Sequence, residues 1–206
     1  MTYLVVLRHG NTFDPGDVVR RVGGRTDLPL SVSGRAQADQ IGRHFAEQFS
    51  TFDRVISAPL RRTLETAERV VKFLSTSPDI EIDAGFREID YGPDEGCPEA
   101  DVVQRIGATA LALWDREAIP PAGWQIDPEV LTAQWQSLIT GLAGLGPAAR
   151  VLVVTSNGIA RFVLNAVYAS PDLTRKLRTG AYGTIDINAT GQAVVREWDV
   201  CAGEQI

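Results

Sequence analysis

The sequence predicts an α/β fold of three layers, a mostly parallel sheet flanked by helices, with a helical insert. Two observations carry this. Short apolar runs at Tyr3–Leu7 and Arg150–Val154 each end abruptly in a polar stretch, Arg8-His9-Gly10-Asn11-Thr12 and Thr155-Ser156-Asn157-Gly158, as buried strands do when they deliver a functional loop. Segments with apolar residues at helical spacing alternate with these runs, the signature of strands joined through helices, whose ligands collect where strands end.

Taken in order, Tyr3–Leu7 is the first strand. Ser31 or Ser33 can cap a helix whose buried stripe is Ala38, Ile41, Phe45 and Phe49. Phe52–Ile56 reads as a second strand. Pro59 suits a helix start, and Leu60, Leu64, Ala67, Val70, Val71 and Leu74 make its apolar face. Ile80–Ile82 is a short strand. The stretch 93–147 differs: helical patterns at Val102–Trp114 and Glu129–Leu145 flank a Pro-Pro-Ala-Gly turn, forming the insert. Trp114, Trp124 and Trp135 lie in it, either packing it onto the core or forming a substrate lid. After Gly158 a helical pattern runs through Val163, Leu164 and Val167. Thr184–Ile187 and Ala193–Arg196 form a terminal hairpin turning near Gly191. No repeat or linker divides the chain, so residues 1–206 read as a single domain.

Composition narrows the function. The 206 residues carry 20 Lys and Arg against 26 Asp and Glu, a net charge of −6. This opposes a nucleic-acid footprint, which needs a basic face, while leaving room for a small anion held by local arginines. Cys97 and Cys201 imply neither a disulfide framework nor a zinc site and read as reduced thiols. With no secretory leader at Met1–Leu7 and no membrane-length apolar run, a cytoplasmic location is expected. A homodimer is compatible with the chain.

Leu7-Arg8-His9-Gly10-Asn11-Thr12 resembles the Arg-His-Gly-x-Thr signature that opens the histidine phosphatase superfamily (phosphoglycerate mutase-like, branch 1). Three further stretches resemble that family in order: Asp27-Leu28-Pro29-Leu30-Ser31 with Gly34 and Gln37-Ala38, Ser57-Ala58-Pro59-Leu60-Arg61-Arg62-Thr63 with Thr66-Ala67, and Phe86-Arg87-Glu88-Ile89-Asp90-Tyr91-Gly92 with Glu95-Gly96. The resemblance implies a metal-independent phosphatase without a cofactor, acting on a small phosphorylated molecule. His9 would be the nucleophile that forms a phosphohistidine, and Arg8 and Arg62 the guanidinium forks on the phosphoryl group. Glu88 would be the acid and then the base. Its register favours Arg62 over Arg61, and Glu88 over Asp90 and Glu95. Asn11 either contacts phosphate or shapes the loop, and His44 reads as a surface or structural residue.

The family's late catalytic histidine has no counterpart. Ser156 stands at its position, and His9 and His44 are the sequence's two histidines. Two expectations follow: a slowed or re-tuned phosphatase in which Ser156, Asn157 and nearby backbone amides bind phosphate, or a phospholigand-binding protein without turnover. A phosphoglycerate mutase is the enzymatic alternative. Asp14-Pro15 and Pro121-Ala122-Gly123-Trp124 also depart from the family pattern, so the resemblance names no substrate.

Overall fold

A computed structural model describes residues 1–146 and 148–203; Pro147, the last residue of the expected insert, and residues 204–206 lie outside it. Six strands form one sheet: β1 (Thr2–Arg8), β2 (Arg54–Ser57), β3 (Ile80–Ile82), β4 (Arg150–Thr155), β5 (Ala181–Ile187) and β6 (Ala193–Cys201), in the order β3-β2-β4-β1-β5-β6. The first four in that order run parallel, and the β5–β6 hairpin adds an antiparallel edge beside β1. Helices are α1 (Val32–Phe49), α2 (Arg61–Val71), α3 (Glu99–Ile106), α4 (Ala108–Glu117), α5 (Pro128–Leu142) and α6 (Asn157–Ala160).

Alternation along the central strands builds the layers, because successive side chains point to opposite faces. Val5 and Leu7 of β1, Val55 of β2, and Leu152 and Val154 of β4 pack with Ile41 and Phe45 of α1 and Ala67 and Val70 of α2. Their neighbours Leu4, Val6, Ile56, Val151 and Val153 join Trp135, Ile139 and Leu142 of α5 and Phe162 on the other face. Both faces are covered, which is why these strands read as nearly continuous apolar runs. Trp114, Trp124 and Trp135 belong to the second cluster, 2%, 6% and 0% exposed, so they pack the insert onto the sheet.

Local chemistry sets the helix ends. Of the two candidate serines, Ser31 caps α1, its hydroxyl accepting from Gly34 N at 3.1 Å. Asp14 accepts from Val32 N and Ser33 N at 3.0 and 2.9 Å, and its hydrogen bonds with Ser33 hold that carboxyl down at about 2. Two expectations need correction. The pattern at 102–114 is two helices, because Gly107, at φ +86°, breaks the chain between α3 and α4. The helix expected through Val167 is one turn, α6, followed by a 3-10 helix at Arg161–Asn165. There Trp135 Nε1 donates to Ile159 O at 3.0 Å, so a side chain takes up a carbonyl of the turn, and the chain tightens.

Strand order positions the site. β1 and β4 are parallel neighbours ending in register, Leu7 beside Val154 and Arg8 beside Thr155. His9 N donates to Thr155 O at 3.0 Å. The loops after these strands therefore emerge side by side, at the edge where ligands of open α/β sheets bind.

Candidate active site

His9 follows β1 directly and is 6% exposed. Its Nδ1 lies 2.7 Å from Gly10 O. A carbonyl only accepts, so Nδ1 carries the proton and Nε2 holds the lone pair. The Cβ position of Gly10 is 2.4 Å from Gly34 O, so only glycine lets this turn press against the start of α1. Burial, followed by the guanidiniums of Arg62 and Arg8, holds the imidazole well below its usual 6.5. Burial is the larger cause, and the two cations add to it.

Arg62, in the first turn of α2, meets that lone pair: its Nε donates to His9 Nε2 at 3.2 Å. Its Nη1 donates to Thr26 O at 2.8 Å and its Nη2 to Gly23 O at 3.2 Å. Each Nη keeps a second hydrogen. The residue is fully buried and touches His9 without lining the cavity described below. Arg61 is exposed, and its backbone N donates to Asp27.

Glu88 follows a short 3-10 helix at Ala84–Phe86 and is 7% exposed. Its Oε1 accepts from Ile89 N at 2.9 Å and its Oε2 from Gly158 N at 3.1 Å. A Cβ at Gly158 would lie 2.3 Å from Glu88 Oε1, so glycine is what admits the carboxyl to the loop after β4. Burial raises its pKa above the usual 4.5, against the opposing pull of Arg62, both amides and Arg8. Its rivals lie elsewhere in function: Asp90 pairs with Arg25 at 3.0 Å and accepts from Gly92 N, and Glu95 is bound up in backbone contacts.

A cavity of about 420 Å³ gathers Arg8, His9, Asn11, Glu88 and Asn157. Arg8 Nη1 donates to Leu177 O at 2.6 Å, while its buried Nε has no partner among the described residues. Asn157 Oδ1 accepts from Leu177 N at 2.8 Å, so it steadies the segment that steadies Arg8. Asn11 Oδ1 accepts from Thr179 Oγ1, and its Nδ2 donates to Ser33 at 3.2 Å, which makes it a tie on the cavity wall between the Thr179 segment and the first turn of α1. Ser156 is fully buried, its hydroxyl unpartnered among the described residues, and it does not line the cavity. His44, away from this group, bonds Tyr182 OH at 2.8 Å.

The far wall escaped the sequence reading. Arg161 is 1% exposed, its guanidinium 3.9 Å from the Trp114 ring centroid and its Nη1 2.5 Å from Trp114 O. Arg21 lies over Tyr91 and Trp124 and pairs with Glu99. Lys176 stands 4.0 Å from Asp115. All of these but Trp124 line the cavity. A lone arginine in the apolar run Ile159-Ala160-Arg161-Phe162-Val163-Leu164 was the available signal, since an unbalanced charge there must find a partner. Among the described residues no group of three or more His, Cys, Asp or Glu is arranged to hold a metal ion, and no helix is long and apolar enough to cross a membrane. Neither cysteine forms a disulfide.

This sheet order, with a neutral histidine at the end of β1 and arginines and a buried carboxyl around it, is an arrangement chemically suited to a phosphoryl group. The sequence profile of the histidine phosphatase superfamily (branch 1) matches residues 4–199, and the chain belongs to that superfamily. Among curated relatives, the uncharacterized phosphatase PhoE of Bacillus subtilis is 35% identical over 105 residues, 51% of either chain. The chain thus spans about half the length of that relative. A 2,3-bisphosphoglycerate-dependent phosphoglycerate mutase 2 of Gloeobacter violaceus is 27% identical over 187 residues, 86% of this chain and 81% of the relative. In solved structures, mycobacterial glucosyl-3-phosphoglycerate phosphatase superposes with a TM-score of 0.79 at 21% identity, over 97% of this chain and 99% of that one. Phosphoserine phosphatase of Entamoeba histolytica, in complex with 3-phosphoglyceric acid, superposes at 0.73 with 18% identity, over 97% and 98%.

Proposed function

We propose that this protein is a metal-independent phosphatase that hydrolyses a small phosphomonoester through a phosphohistidine on His9. The observation that carries the reading is the orientation of one ring: Nδ1 against Gly10 O at 2.7 Å turns the Nε2 lone pair toward Arg62 at 3.2 Å. Arg8 and Glu88 line the cavity that His9 faces.

In the first step the N–P bond forms at Nε2 as the ester P–O bond breaks, and the leaving oxygen takes a proton from Glu88. Arg62 Nε loses its acceptor when the lone pair is used, and it turns to a phosphoryl oxygen. In the second step the Glu88 carboxylate takes a proton from water, the water oxygen attacks phosphorus, and the N–P bond breaks. Neutral imidazole and protonated Glu88 are restored. Guanidinium charge from Arg8 and Arg62 does the work a metal ion does in other phosphatases. Ser156 stands where the family carries a second histidine, and losing one such donor costs about 3 kcal/mol, roughly 10²- to 10³-fold in rate. Turnover is therefore expected to be slow.

The test is phosphate release from p-nitrophenyl phosphate and a panel of metabolite phosphates, with and without chelator, alongside acid-quenched labelling with a radiolabelled phosphomonoester. Chelator-insensitive release and label on the protein, both lost in His9→Ala, are expected. Release that persists in His9→Ala overturns the mechanism. Ser156 favours a second reading, a non-catalytic phospholigand binder, which predicts tight phosphate binding with no label at any time.

A further inference from the structure

Arg62 can face His9 only if its other two nitrogens are held, and the groups that hold them are backbone carbonyls of a loop, Gly23 O and Thr26 O. A loop of two glycines, an arginine and a threonine has no intrinsic reason to keep these carbonyls in place. One side chain supplies it. Glu95 Oε1 accepts from Gly23 N at 3.1 Å, Arg25 N at 2.9 Å and Thr26 Oγ1 at 2.8 Å, while its Oε2 accepts from Tyr91 N at 3.1 Å. The fit is tight: a Cβ on Gly23 would lie 2.2 Å from Glu95 Oε2. Gly24 N and Gly24 O bind Ile89 O and Arg87 Nε, both at 2.8 Å, which docks the same loop on the segment that carries Glu88.

We infer that Glu95 is a positioning residue of the phosphoryl site: its carboxylate gathers the 23–26 loop so that the loop's carbonyls hold Arg62 Nε against His9 Nε2. The carboxylate has no bond to His9 and does not itself line the cavity, meeting its wall at the Tyr91 backbone N, so it reaches His9 through the loop and Arg62. The role goes beyond the proposed reaction, and only its effect on turnover rests on that reading.

The decisive measurement needs no substrate. The charged groups that act on the His9 ring are Arg62 from α2 and Arg8 from β1, both depressing its titration. Releasing Arg62 lifts one of them, so the His9 titration in Glu95→Ala moves upward. Simple loss of a remote negative charge would move it down, which separates positioning from electrostatics. The two imidazoles of the chain are followed by NMR and assigned with His9→Ala. Expected are an upward shift in Glu95→Ala, a smaller one in Glu95→Gln, which keeps one acceptor oxygen, and no upward shift in Asp90→Asn, which removes a negative charge from a side chain that pairs with Arg25 rather than holding Arg62. On a simple phosphomonoester, Glu95→Ala should lose roughly 10- to 100-fold in kcat, the scale of a slightly misplaced group. An unchanged His9 titration in folded Glu95→Ala overturns the inference even if wild-type turnover is intact. If Glu95→Ala does not fold, Glu95→Gln decides by the same titration, an upward shift supporting the role and none refuting it. Absence of wild-type turnover and label would instead defeat the proposed function and leave the titration test standing.

Discussion

Arg62 Nε and His9 Nε2 face each other at 3.2 Å, a donor set against the lone pair that would attack phosphorus. The contact does two things at once. It fixes the tautomer from the Nε2 side while Gly10 O fixes it from the other, and it makes a second proton on the ring costly.

The first prediction concerns pH. His9 must be neutral to attack, and its pKa is depressed, so the acid limb of kcat/KM lies below 6.5. Glu88 must be protonated to act as acid, and its pKa is raised, so activity falls on the alkaline side as pH rises through a value above 4.5. A pH–rate profile should therefore lose nothing as pH drops through 6.5. Glu88→Gln should remove the alkaline limb and lower kcat by about 10²- to 10⁴-fold for an alkyl phosphate. The loss should be smaller for p-nitrophenyl phosphate, whose leaving group needs little protonation. Equal losses on both substrates would argue against Glu88 as the acid. Stability follows the same signs. The His9 contribution is complete above 6.5 and lost as pH falls toward its folded value, whereas that of Glu88 is complete below 4.5 and lost as pH rises through its folded value.

Glu88 depends in turn on Gly158. A methyl group added there would sit 2.3 Å from Glu88 Oε1 and 2.8 Å from Ile89 Cδ1, too close to relax without moving the carboxyl. Gly158→Ala is expected to abolish most turnover while costing about 1–3 kcal/mol of stability. Denaturant unfolding and steady-state kinetics on the same preparation check both. Full activity with normal stability would mean that Glu88 has another resting place.

How much of this could be read from residues alone follows from the range of the interactions. His9, Arg8 and Ser156 sit at the ends of apolar runs, and the period of those runs locates strand ends without tertiary information. The layer arrangement was legible for the same reason. What was not legible depends on packing across the insert. Nothing local in Gly92–Trp124 says that Trp114 will lie under Arg161, 47 residues later, or that Glu95 will reach back to Gly23. Gly107 did carry a local signal, since a glycine inside a helical pattern marks a break, and its positive φ is what divides α3 from α4.

The insert's anchoring gives a third prediction. Trp114 is 2% exposed, packs edge-on to Trp124 at 5.3 Å between centroids, and supports Arg161 at 3.9 Å. Trp114→Ala removes a large buried ring and strips a buried cation of its aromatic face, so a loss of about 3–5 kcal/mol is expected. Trp114→Phe keeps a π face and should recover much of it. Urea titration of the three proteins distinguishes this from a loose lid, for which the alanine change would leave the midpoint nearly unmoved.

The last prediction sets stability against ligand binding at Ser156. Its hydroxyl is fully buried and has no partner among the described residues, and a buried polar group left unpaired is costly. Ser156→Ala deletes that group with little change of volume, so the protein without ligand should gain about 1 kcal/mol. If the hydroxyl serves the phosphoryl group in place of the family's histidine, the same variant should bind inorganic phosphate more weakly, because the donor is gone when the anion arrives. Thermal unfolding with and without phosphate measures both effects on one sample: a higher midpoint in plain buffer and a smaller upward shift on adding phosphate. A variant with the higher midpoint and an undiminished phosphate shift would remove Ser156 from the site and leave anion binding to Arg8, Arg62 and the backbone.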